Sequence, residues 1–169
     1  MEPEAFEAAV RGLLNAVAVM TLATCADGTP WATDVYFAPN GWQLVFFSAP
    51  SSRHCRNLAA SPACAATIHP AVASWREIRG LQLEGTAEPV AGLAARASAT
   101  AAYLAKFPFV AALLADPGQA ARKLGKVSPH VFTPSRIRYT DNTLGFGTRY
   151  VVCLEEGRPV GTPTREAAS

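Results

Sequence analysis

A chain of 169 residues is long enough for one domain with a substantial core. Half of its residues are hydrophobic and only 17% are charged, so part of the surface is expected to be hidden in a subunit interface. The formal net charge of +2 comes without any run of arginine and lysine, and the apolar N-terminal segment is interrupted by Arg11 and Asn15. No nucleic-acid or membrane partner is expected, and with no leader pattern the protein reads as cytoplasmic.

Residues 4–18 carry Phe6, Val10, Leu13, Leu14 and Val17 on one helical face. Val19–Cys25 is a β-branched and apolar run ended by Asp27-Gly28, a strong hairpin signal. Trp31–Ala38 alternates, with Trp31, Thr33, Val35 and Phe37 on one face and Ala32, Asp34 and Tyr36 on the other. Asn40-Gly41 marks a second turn before Trp42–Ser48. A meander of three antiparallel strands follows from these signals.

A helix begins at Ser51 or Ser52, and Ala63–His69 and Ile78–Glu88 read as the next strands, with a bulge at Gly85. Residues 90–106 are helical, with Leu93, Ala97, Thr100 and Leu104 in one stripe, and a short helix is expected near Phe109–Leu114. Asp116–Pro129 reads as partly loop. Val131–Tyr139 resumes strand character, although Pro134 requires an edge or a break there. Arg149–Leu154 closes the sheet, and residues 155–169 read as a flexible polar tail. The expected fold is mainly β with helices: one six- to seven-stranded antiparallel barrel over residues 1–154.

The stretch richest in chemistry is Phe46–Leu58, a strand end, a turn at Pro50 and a helix start crowded with Ser51, Ser52, Arg53, His54 and Arg56. Unpaired N–H groups, hydroxyls and guanidinium groups suit a phosphate monoester, while a serine N-cap with solvated arginines accounts for the same residues. Cys25, Cys55, Cys64 and Cys153 show neither CxxC pairs nor zinc spacing, and they read as small buried hydrophobes. His54 and Cys55 point about 100° apart on a helix and form no catalytic pair. Cys64 and His69 fall on opposite strand faces, so no metal site is expected. His130 reads as a surface histidine. Gly145-Phe146-Gly147 is too short for a dinucleotide fingerprint and suits a tight turn. No residue stands out as a catalytic acid or base.

Phe47-Ser48 followed by Ser52-Arg53-His54 resembles the signature of the pyridoxamine 5′-phosphate oxidase-like, FMN-binding split-barrel superfamily. Ile78-Arg79-Gly80-Leu81-Gln82 and Tyr139-Thr140-Asp141-Asn142-Thr143-Leu144-Gly145-Phe146-Gly147 are similar to its bacterial YhbP-like branch. The resemblance implies FMN bound by Ser52 and Arg53, with His54 where the family has lysine and Phe47 and Ser48 beside the phosphate and ribityl chain. It also places Thr33, Asp34 and Val35 along the flavin ring, and Gln82 near it. Family basic residues fall at Ala32 and Phe37, and the family glutamine at Gly80, so anchoring leans on Arg53. The Arg-x-His element of true pyridoxamine-phosphate oxidases is missing, and that activity is not expected. The resemblance implies a homodimer with a small-molecule redox substrate. The alternatives are deazaflavin F420 as cofactor, or a non-catalytic carrier or sensor of flavin or haem, with haem calling on His54, His69 or His130.

Overall fold

The computed structural model describes residues 1–114 and 126–166, so most of the 116–129 segment expected as loop lies outside the described residues. Helix α1 (Pro3–Ala16) places proline in its first turn, where the missing N–H costs nothing, and Glu4 beside it. Phe6, Val10, Leu13 and Leu14 form its buried face and close one end of the sheet.

Eight strands follow: β1 (Val19–Ala26), β2 (Thr29–Asn40), β3 (Gln43–Ser48), β4 (Ala63–Ile68), β5 (Arg79–Pro89), β6 (Ser128–Asp141), β7 (Arg149–Glu155) and β8 (Arg158–Arg165). They are antiparallel in the order β3-β2-β1-β4-β5-β6-β7-β8, and β3 also pairs with β6. That extra pairing closes the first six strands into a barrel, from which β7 and β8 extend. The first β-turn has Asp27 at φ 50° and Gly28 at φ 70°, the left-handed pair that a two-residue hairpin requires.

The split in the barrel follows from β2. It pairs with β1 along Thr29–Tyr36 but with β3 only along Phe37–Asn40. Helix α2 (Arg53–Ala60) leaves the end of β3 and packs against β1 and β2. The β2 backbone from Trp31 to Tyr36 therefore has no strand on its outer side.

Pro134 sits inside the sheet and is buried. Along β6, residues Ser128–Phe132 pair with β3 and Arg136–Thr140 pair with β7, so Pro134 falls in the gap between partners. Its other neighbour is Gly85, where β5 shifts register after Glu84. The expected break and the expected bulge are thus one feature, because a missing donor is tolerated where the ladder is interrupted on both sides.

Three expectations change. The expected tail from residue 155 contains β8, which continues from a turn with Glu156 at φ 49° and Gly157 at φ 73° and pairs with β7; a polar strand with one covered face carries little hydrophobic signal. The strand count is therefore eight. Helix α3 (Leu93–Lys106) buries Ala99 and Tyr103, not the Leu93 stripe, and Leu93 is 88% exposed. In an alanine-rich helix the apolar period is ambiguous, and the aromatic partner decides: Tyr103 packs on Phe47 and Phe107, at ring separations of 4.8 and 4.9 Å. Helix α4 (Pro108–Leu114) follows as expected.

The Asp141–Gly147 motif is a structural clamp at the β6–β7 turn. Asp141 accepts from the Thr143 N–H at 2.9 Å and its hydroxyl at 2.6 Å, and Asn142 donates to the Trp75 carbonyl at 2.7 Å. Gly145 and Gly147, at φ 121° and 69°, supply turns that other residues rarely adopt.

Candidate functional site

The opening of α2 is built from its cap outward. Ser52 is the N-cap, extended in backbone, and its hydroxyl accepts from the Cys55 N–H at 3.3 Å. The N–H groups of Arg53 and His54 find no protein acceptor among the described residues. Arg53 is exposed, and its guanidinium lies 4.4 Å from the Trp31 ring centre, with no carboxylate partner among the described residues. This stacking holds the cation at the head of the open β2 edge. Arg56 turns back onto the Ser51 carbonyl.

His54 does not share this outward aspect. It is buried, and its Nε2 lies 2.8 Å from Ser48 Oγ and 3.1 Å from Ser52 Oγ. Burial pushes its pKa down, and the neighbouring His130 adds to that. A neutral ring whose Nε2 sits between the two serine hydroxyls fixes them in place; it does not supply charge at the helix opening.

Beneath it lies a cluster not foreseen from the sequence. His130 is only 3% exposed, stacks on Phe46 at 5.3 Å, and its Nδ1 lies 3.1 Å from the Ser128 carbonyl. Its Nε2 is 3.6 Å from Cys55 Sγ. The expected surface histidine is therefore a core residue, because β6 is an interior strand and His130 faces the sheet's packed side. Cys55 finds its partner across 75 residues of chain rather than beside it. Burial lowers His130 and raises Cys55, so both are neutral. Cys64 is half-buried and pushed up to about 12 by desolvation. Cys25 and Cys153 are exposed, contrary to the buried reading, since each occupies an outward strand position.

Along β2 the named residues separate by face. Val35 is buried in the core and Thr33 is half-buried, while the Asp34 side chain is outside and accepts from the Thr21 hydroxyl at 2.7 Å. Phe37 N–H bonds to the Ala18 carbonyl on the β1 side. Antiparallel alternation then turns the main-chain groups of Ala32, Asp34 and Tyr36 to the free edge. Ala32, Ala23 and Ala65 are in register across β2, β1 and β4 and share the outer face. They form a platform carrying nothing larger than methyl groups, and that smallness was its only signal in the sequence. Gln82 is also on the outer face but is held by Arg138 at 3.1 Å, three strands from Asp34. Phe47 is occupied with Tyr103.

Among the described residues, clefts flank the barrel. One, of about 900 Å³, lies between α1 and the ends of β1, β4 and β5; another, of about 860 Å³, lies near the β2–β3 turn and the β7–β8 hairpin. Among the described residues no helix is long and apolar enough to cross a membrane, and no His, Cys, Asp and Glu cluster could hold a metal ion.

Comparison with known proteins agrees with this architecture. The chain is 28% identical over 133 residues to the UPF0306 protein YhbP of Salmonella arizonae, covering 78% of this chain and 82% of that one. Its structure superposes on a heme binding protein from Mycobacterium smegmatis with a TM-score of 0.67 and 26% identity, covering 85% of this chain and 56% of that one. Campylobacter jejuni ChuZ, at 16% identity and a TM-score of 0.71 over 94% of this chain and 63% of that one, shares the fold. A FAD-binding protein from Mesorhizobium loti does so at 15% identity and a TM-score of 0.58, over 76% of this chain and 88% of that one. The family model for pyridoxamine 5′-phosphate oxidase matches residues 6–141, and the chain therefore belongs to that family.

Proposed function

We propose that this protein is an FMN-binding oxidoreductase that works as a homodimer on a small-molecule substrate. The observation that carries the reading is the juxtaposition of Arg53, stacked on Trp31, with the two free N–H groups of Arg53 and His54 at the head of an unpaired β2 edge. A phosphate monoester fits the first, since helix N–H groups and a guanidinium are both donors to it. A flat ring fits the second, since the alanine platform has no side chain to lift it and the Ala32 and Asp34 main chain offers donors and acceptors to a ring edge.

The flavin, when bound, supplies the hydride or electron chemistry. Arg53 and the α2 N–H groups would grip its phosphate, and Ser52 and Ser48, held by His54, would stand beside the phosphate and ribityl chain. Thr33 and Val35 contribute through strand position only, their side chains facing inward. The Asp34 carboxylate disfavours negative charge accumulating near it. A partner subunit over the platform would exclude water and complete the site.

Arg53→Ala tests the reading: FMN affinity, read by flavin fluorescence quenching, should fall at least tenfold, about 1.4 kcal/mol. An unchanged titration removes the site. Sedimentation at micromolar concentration should show a dimer, and a stable monomer would leave the platform uncovered.

A second reading, haem carriage without turnover, draws on the likeness to the Mycobacterium smegmatis heme binding protein. His54 and His130 are buried among their partners, so His69, exposed and using Nδ1 toward the Pro70 carbonyl at 3.3 Å, is the histidine with a nitrogen to offer. A Soret shift on adding hemin, lost in His69→Ala, would favour it over the flavin reading.

A further inference from the structure

The 900 Å³ cleft beside α1 shares with the flavin groove only the Asp34 side chain, and its volume is that of a small-molecule site. One wall is the exposed face of α1, where Ala8, Ala9, Gly12 and Ala16 present no side chain longer than a methyl group. The facing wall carries Thr21 and Thr67, adjacent in register on β1 and β4. A wall of methyl groups and glycine leaves room for a ring to lie against it.

The two ends of the cleft differ in charge. The strand order β2-β1-β4-β5 puts Asp34 at one end and Arg79 at the other. Arg79 is exposed and makes no hydrogen bond or ion pair among the described residues. The carboxylate paired across from it on β6, Asp141, feels the Arg79 charge but takes its hydrogen bonds from the Tyr139 hydroxyl at 2.5 Å and from Thr143. His69 turns Nδ1 to the Pro70 carbonyl, so Nδ1 carries the proton and Nε2 is an acceptor that offers an anion nothing. Gly80 lies against His69 and brings no side chain over it; a Cβ there would come within 3.0 Å of the His69 Cβ and 2.8 Å of the Ile68 carbonyl oxygen.

We propose that this cleft binds a small planar carboxylate, its anionic end held by Arg79 and its uncharged ring running between α1 and Thr67–Thr21 toward Asp34. The guanidinium fork matches a carboxylate in two parallel hydrogen bonds. The Asp34 charge sets the polarity, because an anion at that end would be repelled. Treating this carboxylate as the substrate of the flavin rests on the reading above; its binding does not.

Isothermal titration calorimetry of the full-length protein with 2-naphthoate tests the proposal, alone and with FMN added. Saturable binding is expected, at least tenfold weaker in Arg79→Met and weak for the uncharged 2-naphthylmethanol. Gly12→Phe, placed where an added Cβ meets nothing within 4 Å, should fill the cleft and abolish binding without unfolding the chain. FMN affinity should be the same in Arg79→Met as in the parent. The proposal is overturned if the parent does not bind naphthoate, if Arg79→Met binds it equally, or if the alcohol binds as tightly. It is also overturned if Arg79→Met loses FMN together with naphthoate, since the cleft would then be the flavin's own seat. Should FMN bind neither protein while naphthoate binding still depends on Arg79, the flavin reading falls and this one stands.

Discussion

Cys55 Sγ lies 3.6 Å from His130 Nε2, and the other nitrogen of that ring faces the Ser128 carbonyl at 3.1 Å. The carbonyl can only accept, so Nδ1 carries the proton and Nε2 accepts from the thiol. The pair ties α2 to β6 directly beneath the residues proposed to hold phosphate. Its geometry is that of a thiol and a base, but burial keeps the proton on sulfur.

The four cysteines should therefore react in a set order. Under native conditions iodoacetamide should label Cys25 and Cys153 first, with Cys55 and Cys64 protected until the chain unfolds, as read by peptide mass spectrometry. Early labelling of Cys55 would mean that its cluster is open.

Acid should destabilise the fold through the same cluster. His54 and His130 both have folded pKa values below their ordinary value of 6.5, chiefly through burial. Below pH 6.5 the unfolded chain takes up protons that the folded one does not, so stability is full above that pH and is lost as pH falls toward the folded values. With two such groups the slope reaches at most about 2.7 kcal/mol per pH unit. Thermal melts from pH 8 to 5 should show the fall, shallower in His130→Gln; a flat profile would contradict the buried neutral rings.

Lys106 joins two helices. Its ammonium donates to the Leu14 and Val17 carbonyls at 2.7 Å each, at the end of α1, and lies 3.7 Å from the Phe37 ring centre. Lys106→Met leaves those carbonyls without their charged donor and should cost about 1.5–3 kcal/mol in denaturant unfolding. Burial lowers the Lys106 pKa to about 8. Between pH 8 and 10.5 the unfolded chain holds a proton that the folded one has released, so this group makes stability rise with pH across that window. The methionine variant should lack the rise.

Gly80 cannot take a side chain cheaply. A Cβ would approach the Ile68 carbonyl oxygen to 2.8 Å, which the paired backbone of β4 cannot yield. Gly80→Ala should destabilise by about 1–3 kcal/mol, the usual cost of overpacking, measured as a lowered Tm. An unchanged Tm would show that the β4–β5 ends spread easily.

The meander, the Asp27-Gly28 turn, the Gly85 bulge and the serine-capped α2 were all legible in the sequence, because each is set by residues within a few positions of one another. Phase and turn chemistry suffice for such features. The barrel's closure through β3 and β6, the burial of His130, the facing of α3 and the strand at Arg158–Arg165 were decided only by the tertiary structure. Each depends on which distant segment covers a face, and local periodicity carries no information about that. The site divides in the same way. Ser52 and Arg53 were readable as a helix start with a cation, whereas the inward turn of His54, the free edge of β2, the alanine platform and the Arg79–His69 cleft exist only because separate strands are brought into register.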